Sequence, residues 1–204
     1  MRVHLSITPR PALMFSLPPV TQALIVINAL VFLAEVVLGS SVTSLLALWP
    51  RSPQFMPWQM VTYAFVHAGL PHLLFNMFGV YMFGSDLERV WGPRRYLGYY
   101  LTCALSAAAT EMGVASLAGA HYPTVGASGA VFGLLLAYAM MFPRRTIVPL
   151  FPPIPMRAPV FVAVYGVLEL VLGVTGTQTG IAHFAHLGGL AGGFLFMRFW
   201  KAWR

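Results

Sequence analysis

The sequence predicts an all-α polytopic membrane protein, a six-transmembrane-helix bundle with a long interfacial loop between the first two spans. Three observations carry this. Apolar residues make up 58% of the 204 positions and charged residues only 8%, with a mean hydropathy of +0.76, far from the balance of a soluble domain. Apolar stretches long enough for spans recur six times. The basic residues are distributed one-sidedly. Arg2 and Arg10 lie in the N-terminal tail, Arg89, Arg94 and Arg95 between spans two and three, Arg144, Arg145 and Arg157 between four and five, and Arg198, Lys201 and Arg204 at the C-terminus. With an even number of spans these all fall on one face and only Arg51 on the other, so the positive-inside rule places both termini in the cytoplasm. The net charge of +7 is thereby accounted for by loop asymmetry, with the lipid bilayer as partner and no nucleic acid.

Taken in order, residues 1–20 form a cytoplasmic tail ending in Leu17-Pro18-Pro19, and residues 21–204 form the membrane domain, which leaves no room for an appended soluble domain of ordinary size. The first span, 21–39, is followed by no small-residue cleavage site and reads as a retained span, not a signal peptide. The connection to the second span, about thirty residues long, carries Leu45, Leu46, Leu48, Trp49, Phe55 and Trp58. Its indole N–H groups and spaced leucines predict short amphipathic helices on the outer leaflet. The second span, 71–90, ends in Asp86, Glu88 and Arg89, expected to form a structural hydrogen-bond cluster. The third, 96–117, contains the lone Cys103, a small packing residue that cannot form an intrachain disulfide. The fourth covers 128–142. The loop after it sets Pro143, Pro149, Pro152, Pro153, Pro155 and Pro159 around three arginines, predicting a stiff turn. The fifth covers 158–174 and holds Glu169, and a glycine-bearing flexible connection over 173–180 leads to the sixth, 184–200.

Length adds information about depth. Sixteen residues separate Ser128 from Arg144, roughly 24 Å of helix against a hydrocarbon core of about 30 Å. If the arginines anchor the inner end, the fourth helix starts below the outer surface and the preceding loop dips to meet it. His186 lies fifteen residues from Lys201, and Asn76 thirteen from Arg89, so a hydroxyl, an imidazole and an amide come to one level near the outer ends of spans two, four and six. Polar groups at that depth are costly unless they pair or line a water-filled cavity.

Their chemistry fits acyl transfer. Ser128 stands in Gly126-Ala127-Ser128-Gly129 at a helix N-terminus, where glycine permits a tight turn and unpaired N–H groups face a developing oxyanion. A simple N-cap is the bland alternative, and Ala130 stands where the soluble-hydrolase elbow requires a second glycine. His186 supplies a general base, and Gly189 and Gly193 give its helix a small face that can press against another helix, plausibly the fourth. His72 and Asn76, four residues apart, share one helix face and can donate to a tetrahedral oxyanion. His67 and His183 read as supporting or solvent-facing, and His121 as surface decoration. A haem or zinc site on His72, His183 and His186 is a competing reading, but it leaves Asn76 and the Gly-x-Ser-Gly turn unexplained.

The ordered set His72-x-x-x-Asn76, Gly126-x-Ser128-Gly129 and Ala185-His186-x-x-Gly189-x-x-x-Gly193, with the aromatic first loop, resembles the rhomboid intramembrane serine proteases over all six spans. The resemblance implies a rhomboid-like bundle and a Ser128–His186 dyad. It implies an oxyanion pocket from the Ser128 N–H, His72 and Asn76, with no cofactor and no metal. Substrates would be transmembrane proteins cut near the outer face after local unwinding, entering beside the fifth span. The compact form best fits a bacterial inner membrane with the site opening outward. A non-catalytic relative acting as a membrane chaperone would be expected to have lost the serine or the histidine. Two positions depart from the family pattern. Trp58-Gln59 stands for a common Trp-Arg, so contacts of that arginine are expected to be missing, and Phe132 stands where a tyrosine commonly stacks on the histidine.

Overall fold

A computed structural model describes residues 16–119, 121–150, 152–176 and 182–200. The main helices are α1 (Pro19–Leu38), α6 (Pro93–Ala118), α7 (Ser128–Met141), α8 (Ala158–Thr175) and α9 (His183–Trp200). Between α1 and α6 come α2 (Ser40–Leu46), α3 (Gln59–Thr62) with a 3₁₀ turn (Tyr63–Phe65), then α4 (Leu70–Gly79), a π-helical turn (Val80–Gly84) and α5 (Ser85–Trp91). Proline starts α1, α4, α6 and α8, at or next to the first helical residue, where its missing N–H costs nothing. Glycines with positive φ end α1, α5, α6 and α8.

Among the described residues three helices are long and apolar enough to cross a membrane, namely α1, α6 and α8, and α7 is a shorter apolar helix. Only 17% of the α1 window and 22% of the α8 window is buried, so these helices turn most of their leucine and valine surface outward. Leu30, Val37, Val167 and Val174 are exposed, as an integral membrane protein requires of groups that lipid must solvate.

The centre is α6, which packs against both α7 and α9. Tyr96, Tyr99, Tyr100, Cys103, Ala104, Ala107 and Ala108 on α6 are buried. Their alternation of aromatic and small side chains lets α9 approach closely. The Tyr99 hydroxyl donates to the Gly133 carbonyl at 2.6 Å, and the Ser106 hydroxyl to the Gly188 carbonyl at 2.8 Å. A methyl group at Gly189 would run into the Gly129 carbonyl oxygen, so α7 and α9 touch backbone to backbone at that level.

Polar ties fix the periphery. Glu88 accepts from the Val20 and Thr21 N–H groups at 2.9 and 2.7 Å and from the Thr21 hydroxyl at 2.7 Å, capping α1 from α5. Asp86 pairs with Arg89 and Arg145. The acidic cluster ending the second apolar stretch is therefore structural.

Two expectations are filled out and one needs correction. The connection after α7, expected to be a stiff turn, carries regular structure. It contains an antiparallel pair, β1 (Thr146–Ile147) with β2 (Met156–Arg157), because the prolines lie between the paired residues and leave their N–H groups available. Gln59, standing where an arginine is common, makes contacts of its own. Fully buried, it accepts from the Trp49 and Met56 N–H groups at 3.4 and 3.2 Å and donates to the Leu45 and Gln54 carbonyls at 3.4 and 3.0 Å. A neutral amide, with donors and acceptors together, ties this loop internally where a guanidinium could only donate. Gly173 is not in a flexible connection. It lies inside α8 against His183 Cβ and Phe184, and residues 177–180 of that connection fall outside the described residues, as do Arg2, Arg10, Lys201 and Arg204.

Candidate active site

Ser128 is the first residue of α7. Its hydroxyl is engaged by a second helix: Oγ lies 2.7 Å from Nε2 of His186. The two residues are 58 apart in sequence, and the glycine contact between α7 and α9 sets their distance. His186, 8% exposed, stacks on Phe132 with ring centroids 4.5 Å apart and planes within 11°. The aromatic face expected at Phe132 is thus present without a phenol. Phe132 is one turn beyond Ser128 on the same helix, so α7 presents the hydroxyl and the ring that orients its partner together.

Below the serine, Gly126 adopts φ +117, and its N–H donates to the Tyr63 carbonyl at 2.9 Å. A Cβ there would sit 2.6 Å from His72 Cε1, 2.8 Å from His72 Nε2 and 3.7 Å from Ser128 Oγ. The His72 imidazole therefore lies over the Gly126 backbone beside the serine. Its Nδ1 accepts from the Ala68 N–H at 3.4 Å, which favours the tautomer with the proton on Nε2, the atom facing Gly126. Asn76 is 5% exposed and donates from Nδ2 to the His72 carbonyl at 2.9 Å. That bond uses one amide hydrogen and leaves a second. The N–H groups of the first turn of α7, beginning at Ser128, have no carbonyl partner within their own helix.

His67 and His183 were read as supporting or solvent-facing, and both are buried, at 3% and 4% exposure. His67 lies in the connection before α4, its ring edge-on to His72 with centroids 5.1 Å apart. Burial and the neighbouring His72 push its pKa down to about 4, so it is neutral at physiological pH. His183 Nδ1 lies 2.6 Å from Glu169 Oε2, and the same oxygen lies 2.8 Å from His186 Nδ1. Glu169 adjoins no candidate catalytic residue in sequence, and a carboxylate inside an apolar helix is the signal that it reaches a partner in three dimensions. His121 is exposed.

Glu169, His183 and His186 place ligand-type atoms within 4.8 Å of one another, a spacing one cation could bridge. Here both Nδ1 atoms converge on one carboxylate oxygen, and Nε2 of His186 is taken by Ser128. The two imidazoles thus share one carboxylate.

Comparison with known proteins gives the family. The family model described as Rhomboid domain matches residues 54–201, a stretch that contains Ser128, His186, His72 and Asn76. The putative rhomboid protease YdcA of Bacillus subtilis (strain 168) is 34% identical over 138 residues, 68% of this chain and 64% of that protein. Rhomboid protease GluP of the same organism is 30% identical over 139 residues, 67% of this chain and 25% of GluP. Rhomboid protease GlpG of Yersinia pestis (strain Pestoides F) is 28% identical over 187 residues, 89% of this chain and 62% of GlpG. The chain spans between a quarter and just under two thirds of the length of these relatives.

Proposed function

We propose, from the premise that this chain belongs to the rhomboid family, that it is an intramembrane serine endopeptidase hydrolysing peptide bonds in or near transmembrane segments of membrane-protein substrates. The observation that carries the reading is the 2.7 Å contact between Ser128 Oγ and His186 Nε2, made between two helices that glycine holds together. Ser128 attacks the scissile carbonyl carbon while His186 Nε2 takes the hydroxyl proton. The negative charge that develops on the carbonyl oxygen is met by the Ser128 N–H, the His72 Nε2–H and the Asn76 amide. Collapse of the tetrahedral intermediate breaks the C–N bond, and His186 returns the proton to the leaving amine. Water then attacks the acyl-enzyme with His186 again as base, releasing the carboxylic acid and restoring Ser128.

In this reading residues 21–204 form the membrane domain behind a cytoplasmic tail of residues 1–20. The spans are six: α1, the α4–α5 unit, α6, α7, α8 and α9, with both termini cytoplasmic and the site opening outward. The membrane is a bacterial inner membrane. The short α7, at 14 residues or roughly 21 Å, leaves its serine below the outer surface, where water can reach it from that side. The segment 39–69, with α2 and α3, lies at the outer interface. A non-catalytic chaperone-like role is disfavoured because serine, histidine and the contact between them are all present.

The test compares wild type with Ser128→Ala and His186→Ala, purified and folded in detergent, by fluorophosphonate labelling and by cleavage of a model transmembrane substrate. Labelling and cleavage by wild type alone is the expected result. A Ser128→Ala protein that cleaves as fast as wild type refutes the assignment.

A further inference from the structure

We infer that Glu169 is a positioning residue for His186, making the site a serine–histidine–carboxylate chain in which His183 fixes the carboxylate. The inference deepens the reading of Ser128 and His186 as the catalytic pair and rests on it.

For Nε2 of His186 to accept the Ser128 proton, the neutral ring must carry its own proton on Nδ1. A buried Nδ1–H needs an acceptor, and Glu169 Oε2 lies 2.8 Å away. The approach is an ion-pair distance without the straight N–H direction of a good hydrogen bond, and Nδ1 has no other hydrogen-bond partner. His183 holds the well-aligned bond to that same oxygen, at 2.6 Å. The carboxylate is therefore clamped by one imidazole and placed against the other. Phe132 fixes the plane of the His186 ring, so the movement left to it is a small rotation in that plane, which can align Nδ1–H with Glu169 when the ring becomes an imidazolium. A carboxylate in an apolar helix is expensive unless it is paired, and its pairing here is with the proposed general base and that base's neighbour on α9.

Other groups also act on His186. Glu111 on α6, bonded to the Tyr122 hydroxyl at 3.0 Å, lies within electrostatic reach of both His183 and His186, and His72 on α4 faces His186 with opposite influence. Glu169 differs from these in touching Nδ1.

The experiment measures kcat and KM against pH for wild type, Glu169→Gln and Glu169→Asp on a transmembrane substrate in detergent, with Ser128→Ala as control and thermal unfolding alongside. Glu169→Gln keeps the shape and removes the charge. It is expected to lower kcat at least roughly tenfold at nearly unchanged KM. The imidazolium loses its counter-charge, so the acidic limb of kcat/KM moves to lower pH, and Glu169→Asp restores part of both. A purely structural tie between α8 and α9 would leave the acidic limb where it is. Glu169→Gln with wild-type kcat and an unmoved limb overturns the inference while leaving the Ser128 reading intact, whereas an inactive wild type sinks both. Should Glu169→Gln not fold, histidine ¹⁵N NMR of wild type decides, assigned by the signal lost in His186→Ala. The Nδ1–H tautomer of His186 is expected, and the Nε2–H tautomer refutes the inference.

Discussion

Replacing Gly126 by alanine tests the oxyanion side of the site while leaving the side chains of Ser128, His186, His72 and Asn76 chemically intact. The backbone at φ +117 is one that side chains rarely adopt, and holding alanine there costs about 1–3 kcal/mol. The new Cβ would lie 2.6 Å from His72 Cε1 and 2.8 Å from Nε2, whereas comfortable contact begins near about 3.5 Å. The imidazole must therefore retreat by roughly 1 Å or turn aside. Loss of one oxyanion donor raises a barrier by about 3–4 kcal/mol, a fall in kcat of roughly 10²–10³-fold. Thermal unfolding in detergent separates the two effects, since the strain lowers the melting temperature by several degrees and the donor loss does not. Cleavage of a transmembrane substrate at 25 °C reads the second, with KM expected to change little. A folded Gly126→Ala protein with wild-type kcat would show that His72 takes no part in stabilising the transition state.

Three further outcomes are expected. Gln59→Ala leaves the Trp49 and Met56 N–H groups and the Gln54 carbonyl without their partner, while the Leu45 carbonyl keeps the Trp58 indole N–H, and should lower stability by about 2–4 kcal/mol, measured by denaturation in detergent. Gly189→Ala drives a methyl into the Gly129 carbonyl, so α7 and α9 must separate, and fluorophosphonate labelling of Ser128 should fall to background even where the protein still purifies folded. His67 has its folded pKa lowered from 6.5 to about 4, so the unfolded chain takes up a proton at a pH where the folded protein does not. Stability is then unaffected above about pH 6.5 and declines as pH falls toward 4, by up to about 3 kcal/mol. A His67→Phe variant should show a flatter stability profile over that window, and an equally steep one would mean that other groups carry the acid sensitivity.

Composition, apolar length and the order of the motifs were enough to establish the membrane class, the helical segments and the family. Apolar length fixes where a chain satisfies its own backbone in lipid, and proline and glycine mark the ends, so expected and observed helices agree within a few residues: 128–142 against Ser128–Met141, and 96–117 against Pro93–Ala118. The glycines after His186 also announced a close helix contact, because small residues are what such contacts need. The tertiary structure alone decided how each helix is rotated and what each polar side chain meets. In helices apolar on nearly every side, periodicity says nothing about which face points inward, so the approach of Glu169 to His183 and His186, across two different helices, was not legible. Nor was the burial of Gln59, whose four partners come from separate turns of one loop, or the strand pair after α7, too short to leave a period-two signal. Spacing along a chain places a residue at a depth; only packing chooses its neighbours at that depth.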